Sequence, residues 1–267
     1  MLRDITLGQY FPGDTVIHRL DPRTKLIMVM VYLVALFSAG TALTLGMMAV
    51  FLGTIICVSK TKLCLLVRGL RPLAIILVFT GTLNIFLTPG EPIFRVWILT
   101  ATYEGLRHAL VLLARIGMMV MGTFILTYTT SPMNLTDGLE MLLGPLKRIR
   151  VPVHELAMIM NMALRFVPTL LAEADKIMSA QKARGADFES GNILRRGQAM
   201  IPLLIPLFMS AFRRADELAI AMESRCYHGG EGRTRMRQLR LGLRDALAGL
   251  VGALLLTAII GLGVLGL

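Results

Sequence analysis

Two arginines flanked by small residues are the feature of this sequence most able to do chemistry. Arg184 lies in Gln181-Lys182-Ala183-Arg184-Gly185-Ala186, and Arg225 lies in Met222-Glu223-Ser224-Arg225-Cys226-Tyr227. They are 41 residues apart, and a similar amphipathic stretch precedes each. A guanidinium is a planar fork that pairs with carboxylates or carbonyl oxygens. Small neighbours let the backbone around it press into a groove, and a cation at a helix C-terminus complements the helix dipole by about 0.3–1 kcal/mol. The chemistry this implies is docking, not bond-making. For either site alone, a helix-ending arginine followed by a glycine stop is the simpler reading. Finding the feature twice argues for more.

The rest of the sequence offers little competing chemistry. There is no Gly-x-x-x-x-Gly-Lys-Ser/Thr phosphate loop, so no ATP site of that kind is expected. No paired carboxylates or Ser/His/Asp arrangement has supporting context. His154 and Glu155 are adjacent, but no second cluster joins them to make a membrane-embedded enzyme. Cys57, Cys64 and Cys226 show no metal or disulfide spacing, and His18, His108, His154 and His228 are scattered. We expect no catalytic residue, no cofactor and no resident metal.

The elements that must position the two arginines follow from composition. Of 267 residues, 55% are hydrophobic and 17% charged, and the net charge is +11. Soluble domains carry about 25% charged residues. The apolar excess comes in charge-free blocks, the pattern of a polytopic membrane protein of the all-α class, since helices satisfy their own backbone in hydrocarbon. Leu26–Ser59 is free of charge and as one helix would be about 50 Å long, too long for one crossing of a core of about 30 Å. The break at Ser38-Ala39-Gly40-Thr41 divides it into helices near 24–39 and 42–58. A third span is expected from Pro72 to Gly90, with the proline at its start. A fourth is centred on Ile116–Thr130, with Arg115 near its beginning, and a fifth runs from Ala246 to Leu267. Gly249, Gly252, Gly261, Gly263 and Gly266 of the fifth span suit close helix approach or are ordinary membrane-helix composition. Residues 1–25 carry several charges before any apolar run, so no signal peptide is expected.

Charge sets the expected orientation. Arg19, Arg23 and Lys25 precede the first span, and Lys60, Lys62, Arg68 and Arg71 precede the third. The tip near residue 40 has none. The positive-inside rule places the N-terminus in the cytoplasm and residues 90–108 outside. All Lys and Arg except Arg95, Arg107 and Arg115 then face the cytoplasm. Trp97 sits where an interfacial anchor would.

Residues 131–240 are too long and too patterned for a loop. A short helix is expected from Ser131-Pro132 to about Leu146. A long one opens at Pro152 with an apolar stripe through Leu156, Met160, Leu164, Val167, Leu171 and Met178, bent at Pro168. Another follows, with Met200, Leu203, Leu207, Ala211, Leu218 and Met222 on its stripe. Its charge-free segment Gly197–Phe212 is short for a crossing. A sixth span there would put Arg213–Arg240 outside, against the charge rule. The chain thus divides into a four-helix membrane part (1–130), a cytoplasmic region of long amphipathic helices (131–240) and a last membrane helix (241–267).

At these residues the sequence resembles the transmembrane T component of energy-coupling factor (ECF) transporters. His18-Arg19-Leu20-Asp21-Pro22-Arg23-Thr24-Lys25-Leu26 is similar to that family's N-terminal signature. Ala183-Arg184-Gly185 matches the first of its two Ala-Arg-Gly motifs. Ser224-Arg225-Cys226 stands where the second belongs, with serine for alanine and cysteine for glycine. The resemblance implies that the helices ending in these motifs are coupling helices docking into two ATP-binding-cassette ATPase subunits. It also implies a partner S component, a membrane subunit that binds the vitamin or other micronutrient and topples to release it. ATP hydrolysis would then belong to the partners, and the site residues of this chain would be Ala183, Arg184, Gly185, Ser224, Arg225 and Cys226. The stretch Asp4-Ile5-Thr6-Leu7-Gly8-Gln9-Tyr10 looks like that of T components shared among several S components. The expected location is the cell membrane.

The other reading of function is a self-contained secondary transporter with Arg115 and Asn84 near the substrate path. Arg115 is otherwise a snorkelling interfacial residue. Asn84 either bonds a neighbouring helix or reaches the outer interface. Met118, Met119 and Met121, and Met158, Met160 and Met162, suit either core packing or a re-packing partner surface. Arg233, Arg235, Arg237, Arg240 and Arg244 fit contact with the anionic lipid bilayer better than a nucleic-acid role, since no aromatics interleave them.

Overall fold

The computed structural model describes residues 10–96, 99–186, 188, 193–230, 239 and 241–264. Trp97, the Asp4–Gln9 stretch, Gly266, Arg233, Arg235, Arg237 and Arg240 lie outside these. The described chain is almost wholly helical: α1 (Pro22–Ser38), α2 (Ala42–Ser59), α3 (Leu63–Leu70), α4 (Ala74–Leu87), α5 (Tyr103–Thr129), α6 (Pro132–Leu142), α7 (Val153–Ala183), α8 (Ile193–Glu223) and α9 (Leu243–Val264). One short antiparallel hairpin, β1 (Pro92–Val96) with β2 (Leu99–Thr102), joins α4 to α5. The described residues form two compact units, one of residues 10–141 with 239 and 241–264, the other of residues 142–230.

The first unit is a bundle of helices around α5. Asp21 caps α1 by accepting from the Arg23 N–H, with Pro22 next in line, the placement in which proline loses nothing. Thr41 and Thr44 cap α2 reciprocally, so the break at Ser38–Thr41 is a tight hairpin as expected. α5 packs against α1, α2, α3 and α4, and α9 packs along α1. Tyr32, Leu36, Met48, Leu52, Met118 and Ile125 form the centre of the buried core, and the Tyr32 hydroxyl donates to the Met118 carbonyl. Met118 is therefore a core residue. The outward faces stay apolar, with Ile75, Phe79, Leu87 and Leu254 exposed, as lipid contact requires.

Hydrogen bonds set the helix directions. Lys25, Tyr32 and the Ala39 carbonyl on α1 and its cap meet Thr129, Met118 and Arg115 of α5 in that order, so α1 and α5 are antiparallel. Asp21 meets Asp245, and Met28 meets Gly252, so α9 runs parallel to α1. Of the last helix's described glycines, only Gly252 is a close-approach position: a Cβ there would lie 2.6 Å from the Met28 sulfur, whereas Gly249, Gly261 and Gly263 face open space.

Several expected boundaries shift. The third span begins well before Pro72. α3 runs into α4 through a 3-10 turn at Arg71–Leu73, making one helix of 25 residues, Leu63–Leu87. Pro72 lacks the N–H that would bond the Arg68 carbonyl, and the Arg71 N–H supplies a 3-10 bond to it instead. The fourth span starts at Tyr103 and has 27 residues, because Thr102 caps it and Glu104 suits its first turn. Arg115 therefore lies three turns inside it and not near its beginning. α6 stops at Leu142, and a 3-10 turn at Gly144–Ile149 carries Pro145.

Five helices are long and apolar enough to cross a bilayer: α2, α3 with α4, α5, α7 and α9. α7 is the least apolar of them. α1, expected to be the first span, has 17 residues, one fewer than the shortest of the five. It nonetheless lies alongside α5 and α9 from Lys25 to Ala39, as a member of the same bundle. α8 is not among the five, so Gly197–Phe212 does not qualify as a crossing by length and hydropathy, whereas α7, expected to lie in the cytoplasmic region, does.

Candidate functional site

The two arginine motifs close two helices in the same way. α7 ends at Ala183, and Arg184 is its C-cap. Gly185 takes the left-handed conformation, φ +88°, its N–H bonding the Lys182 carbonyl, while the Ala186 N–H bonds the Gln181 carbonyl. α8 ends at Glu223, and Arg225 is the corresponding residue. Cys226 is left-handed, φ 53°, its N–H bonding the Glu223 carbonyl, while the Tyr227 N–H bonds the Met222 carbonyl. Both are Schellman turns, with the paired bonds that satisfy a helix's last carbonyls. The missing glycine after Arg225 thus does not cost the turn: Cys226 adopts the backbone that Gly185 adopts. A non-glycine residue there is strained by about 1–2 kcal/mol.

Neither guanidinium, nor the small residue before it, is covered. Ala183, Arg184, Gly185, Ser224, Arg225 and Cys226 are all exposed. Among the described residues, neither arginine has a hydrogen-bond or ion-pair partner, whereas Lys25 and Arg115 of the helical bundle each reach the carbonyl end of another helix.

α7 and α8 carry these caps on one antiparallel pair. Pro206 has no N–H to give the Pro202 carbonyl, and Gln181 Nε2 donates to that carbonyl instead at 3.4 Å. Further along, Glu173 accepts from Ser210 Oγ and, at 2.7 Å, from Arg214. Pairing 181 with 202 and 173 with 210 and 214 fixes both direction and register. In an antiparallel pair the two C-termini lie at opposite ends. At 1.5 Å per residue, Arg184 and Arg225 are separated by roughly 40 Å along the axis. Leu203, Leu207, Ser210, Ala211, Arg214 and Leu218 form the covered line of α8, at helical spacing. A second apolar line, Ile201, Ile205, Phe208 and Phe212, is exposed.

The surroundings of the caps differ. Beside Arg225 is a cleft of ≈ 490 Å³ lined by Met158 and Met162 of α7, Leu218 and Met222 of α8, Tyr227 and Gly229. At the other cap, Gln181 holds the Pro202 carbonyl one turn before Arg184. Met160 points away and is exposed.

The family can now be stated. The family model described as cobalt transport protein, CbiQ, matches residues 13–236. The chain belongs to the CbiQ family. Its relatives include proteins named energy-coupling factor transporter transmembrane protein EcfT. That of Thermosediminibacter oceani is 52% identical over 254 residues, covering 95% of this chain and 96% of the relative. That of Acidaminococcus fermentans is 52% identical, covering 94% of each chain. That of Clostridium kluyveri is 50% identical, covering 96% and 95%. The resemblance to ECF T components carried by the His18–Leu26 and Ala183–Gly185 motifs is therefore correct, and this CbiQ-family chain is a multi-pass membrane protein of a transporter.

The other sequence candidates lie elsewhere in the CbiQ fold. Arg115 donates to the Ala39 carbonyl at the C-terminal end of α1. Asn84 Nδ2 donates to the Thr80 carbonyl one turn back in its own helix, and not to a neighbouring helix. His154 packs against Gly230, and Glu155 is exposed. No group of His, Cys, Asp and Glu able to hold a metal occurs among the described residues.

Two groupings escaped the sequence reading. One is the Glu173–Ser210–Arg214 clamp. Glu173 and Arg214 were visible as polar residues off the apolar stripe, but pairing them needs the register of α7 on α8. The other is the start of the His18–Leu26 signature. Lys25 Nζ donates to the His18 and Thr129 carbonyls and to Thr130 Oγ1. Asp245 accepts from the Asp21 and Gly242 N–H groups. The signature is a joint between α1, α5 and α9, and not only a topology signal.

Proposed function

We propose that this chain is the non-catalytic coupling subunit of an ECF-type importer for a vitamin or other micronutrient. In this reading, two ABC ATPase subunits dock at the α7 and α8 ends, one on Ala183-Arg184-Gly185 and one on Ser224-Arg225-Cys226. The observation that carries it is the repeated cap. Two helices end in the same six-residue bond pattern, each presenting an exposed, unengaged guanidinium among small residues, at opposite ends of a clamped pair. Roughly 40 Å between them leaves room for two separate protein partners. The basic fork would pair with a carboxylate or with carbonyl oxygens of each ATPase. Closure of the ATPases on ATP would move both ends, and the Glu173 clamp and the Gln181–Pro202 bond would make α7 and α8 respond as one lever.

The exposed line Ile201, Ile205, Phe208 and Phe212 supports an apolar partner surface for α8, as a membrane S component would supply. The N-terminus and both motifs would face the cytoplasm, which the Lys and Arg distribution favours. Specificity would reside in the S component, because Arg115 and Asn84, the residues that a self-contained secondary transporter would use, are engaged within the protein.

The test is the pair Arg184→Glu with Arg225→Glu, expressed with the neighbouring transporter genes. Uptake should be abolished and ATPase co-purification weakened, with membrane insertion and melting temperature unchanged. Normal uptake by the double variant, or purification of the wild-type chain without any ATPase, would end this reading.

A further inference from the structure

The membrane unit holds a cavity of ≈ 420 Å³ that the coupling role does not use. Its walls come from the first half of α1, the last turns of α2 and α5, the first turns of α9 and the segment before α1. Met28, Tyr32, Phe51, Ile125, Leu126 and Val251 are typical of the lining. These helix ends lie at one end of the bundle, the end at which Arg23 opens α1 and Lys60 and Lys62 follow α2.

The polar side chains in the lining are almost all engaged within the protein. Lys25 has three acceptors. The Tyr32 hydroxyl donates to Met118, Thr54 to Phe51 and Thr129 to Ile125. A soluble polar ligand would find apolar walls and no free donor. The exception is Arg244, exposed at the mouth on the first turn of α9, with no hydrogen-bond or ion-pair partner among the described residues. Its neighbour Asp245 is turned away and holds the Asp21 and Gly242 amides. On α9, Arg244, Leu247, Ala248 and Val251 form one face toward the cavity.

An apolar chamber at the basic end of a membrane bundle, with one unengaged cation in its lining among the described residues, has the shape and charge of a lipid site. We propose that it holds one acyl chain of an anionic phospholipid whose phosphate pairs with Arg244. The acyl chain is stabilised by burial against α1, α2, α5 and α9, and the headgroup by charge complementarity at the mouth. The lipid thereby fills the space between the joint at Lys25 and the bilayer. This site stands independently of the ATPase-docking reading.

The experiment is native mass spectrometry of the full chain in mild detergent, with phosphatidylglycerol or phosphatidylcholine of the same acyl chains added. One phosphatidylglycerol should be retained about five-fold more than phosphatidylcholine, the preference that one surface charge of about 1 kcal/mol provides. Arg244→Gln, at an exposed position, should equalise the two lipids. Ala248→Trp should fill the chamber and remove both adducts. The melting temperature checks that each variant is folded. No retained lipid, an equal preference in the wild-type chain, an unchanged preference in Arg244→Gln, or an adduct that survives in folded Ala248→Trp would each overturn the proposal.

Discussion

Four cations at helix C-terminal ends divide between the two units, and the division is informative. In the membrane unit, Lys25 at the start of α1 donates to the Thr129 carbonyl that ends α5, and Arg115 of α5 donates to the Ala39 carbonyl that ends α1. Each helix of this antiparallel pair thus has its negative end satisfied by a cation from the other. In the α7–α8 unit, Arg184 and Arg225 sit at the ends of their own helices, and the backbone closes itself by Schellman turns. Their guanidiniums are exposed and have no partner among the described residues. The same chemistry holds a bundle together where it is buried and is available to a partner where it is not.

The comparison can be broken most severely at the exposed cations of the helix caps. Arg184→Ala with Arg225→Ala should reduce uptake to background while changing stability by less than about 0.5 kcal/mol, the usual range for surface substitutions. Radiolabelled substrate uptake and thermal unfolding of the purified chain read the two effects. If the variants unfold, the arginines are structural and the contrast fails.

Lys25→Met should show the opposite behaviour. It leaves the His18 and Thr129 carbonyls and the Thr130 hydroxyl without their donor in a buried site, a loss of about 1–3 kcal/mol. The expected readout is a sharp drop in melting temperature and yield, with any surviving protein still able to bind ATPase. Unchanged stability would mean that the joint is not what secures α1.

The caps themselves can be compared next. Gly185→Ala places a Cβ at φ +88° and should weaken the α7 end by about 1 kcal/mol. Cys226→Gly removes a strained side chain at φ 53° and should strengthen the α8 end by a similar amount, with uptake retained. Hydrogen exchange at the Gly185, Ala186, Cys226 and Tyr227 amides would register both. If Cys226→Gly destabilises the protein, the thiol has a role that the backbone does not reveal.

The smallest effect is expected at the clamp. Glu173→Gln keeps an acceptor for Ser210 but loses the charge facing Arg214, a solvent-screened pair whose contribution to stability is small. A slight fall in melting temperature with partial loss of uptake would indicate that α7 and α8 act as a lever. Full uptake would show that the two ends work separately.

Much of this architecture was legible from the amino acids because hydrocarbon is an exacting solvent. Charge-free blocks mark helices, Ser38–Thr41 marks a hairpin, and the doubled arginine motif marks the ends of α7 and α8 to the residue. What misled the reading was charge near helix ends. Arg68 and Arg71 lie outside the charge-free blocks, yet α3 extends through Arg68 and a 3-10 turn through Arg71, since a terminal turn can carry charge to the interface. Pro72 was read as a start and is instead a 3-10 turn within a longer helix.

Sequence alone determined the kind of protein and the residues that distinguish it, because hydropathy, charge placement and the Arg184 and Arg225 motifs are local properties of the chain. Only the tertiary structure decided what those residues are free to do. Whether a cation is engaged depends on which carbonyls lie within hydrogen-bond reach, and that is settled by helices brought together from distant parts of the chain. Lys25 and Arg115 meet such carbonyls. Among the described residues Arg184, Arg225 and Arg244 do not, and their side chains are exposed at the surface.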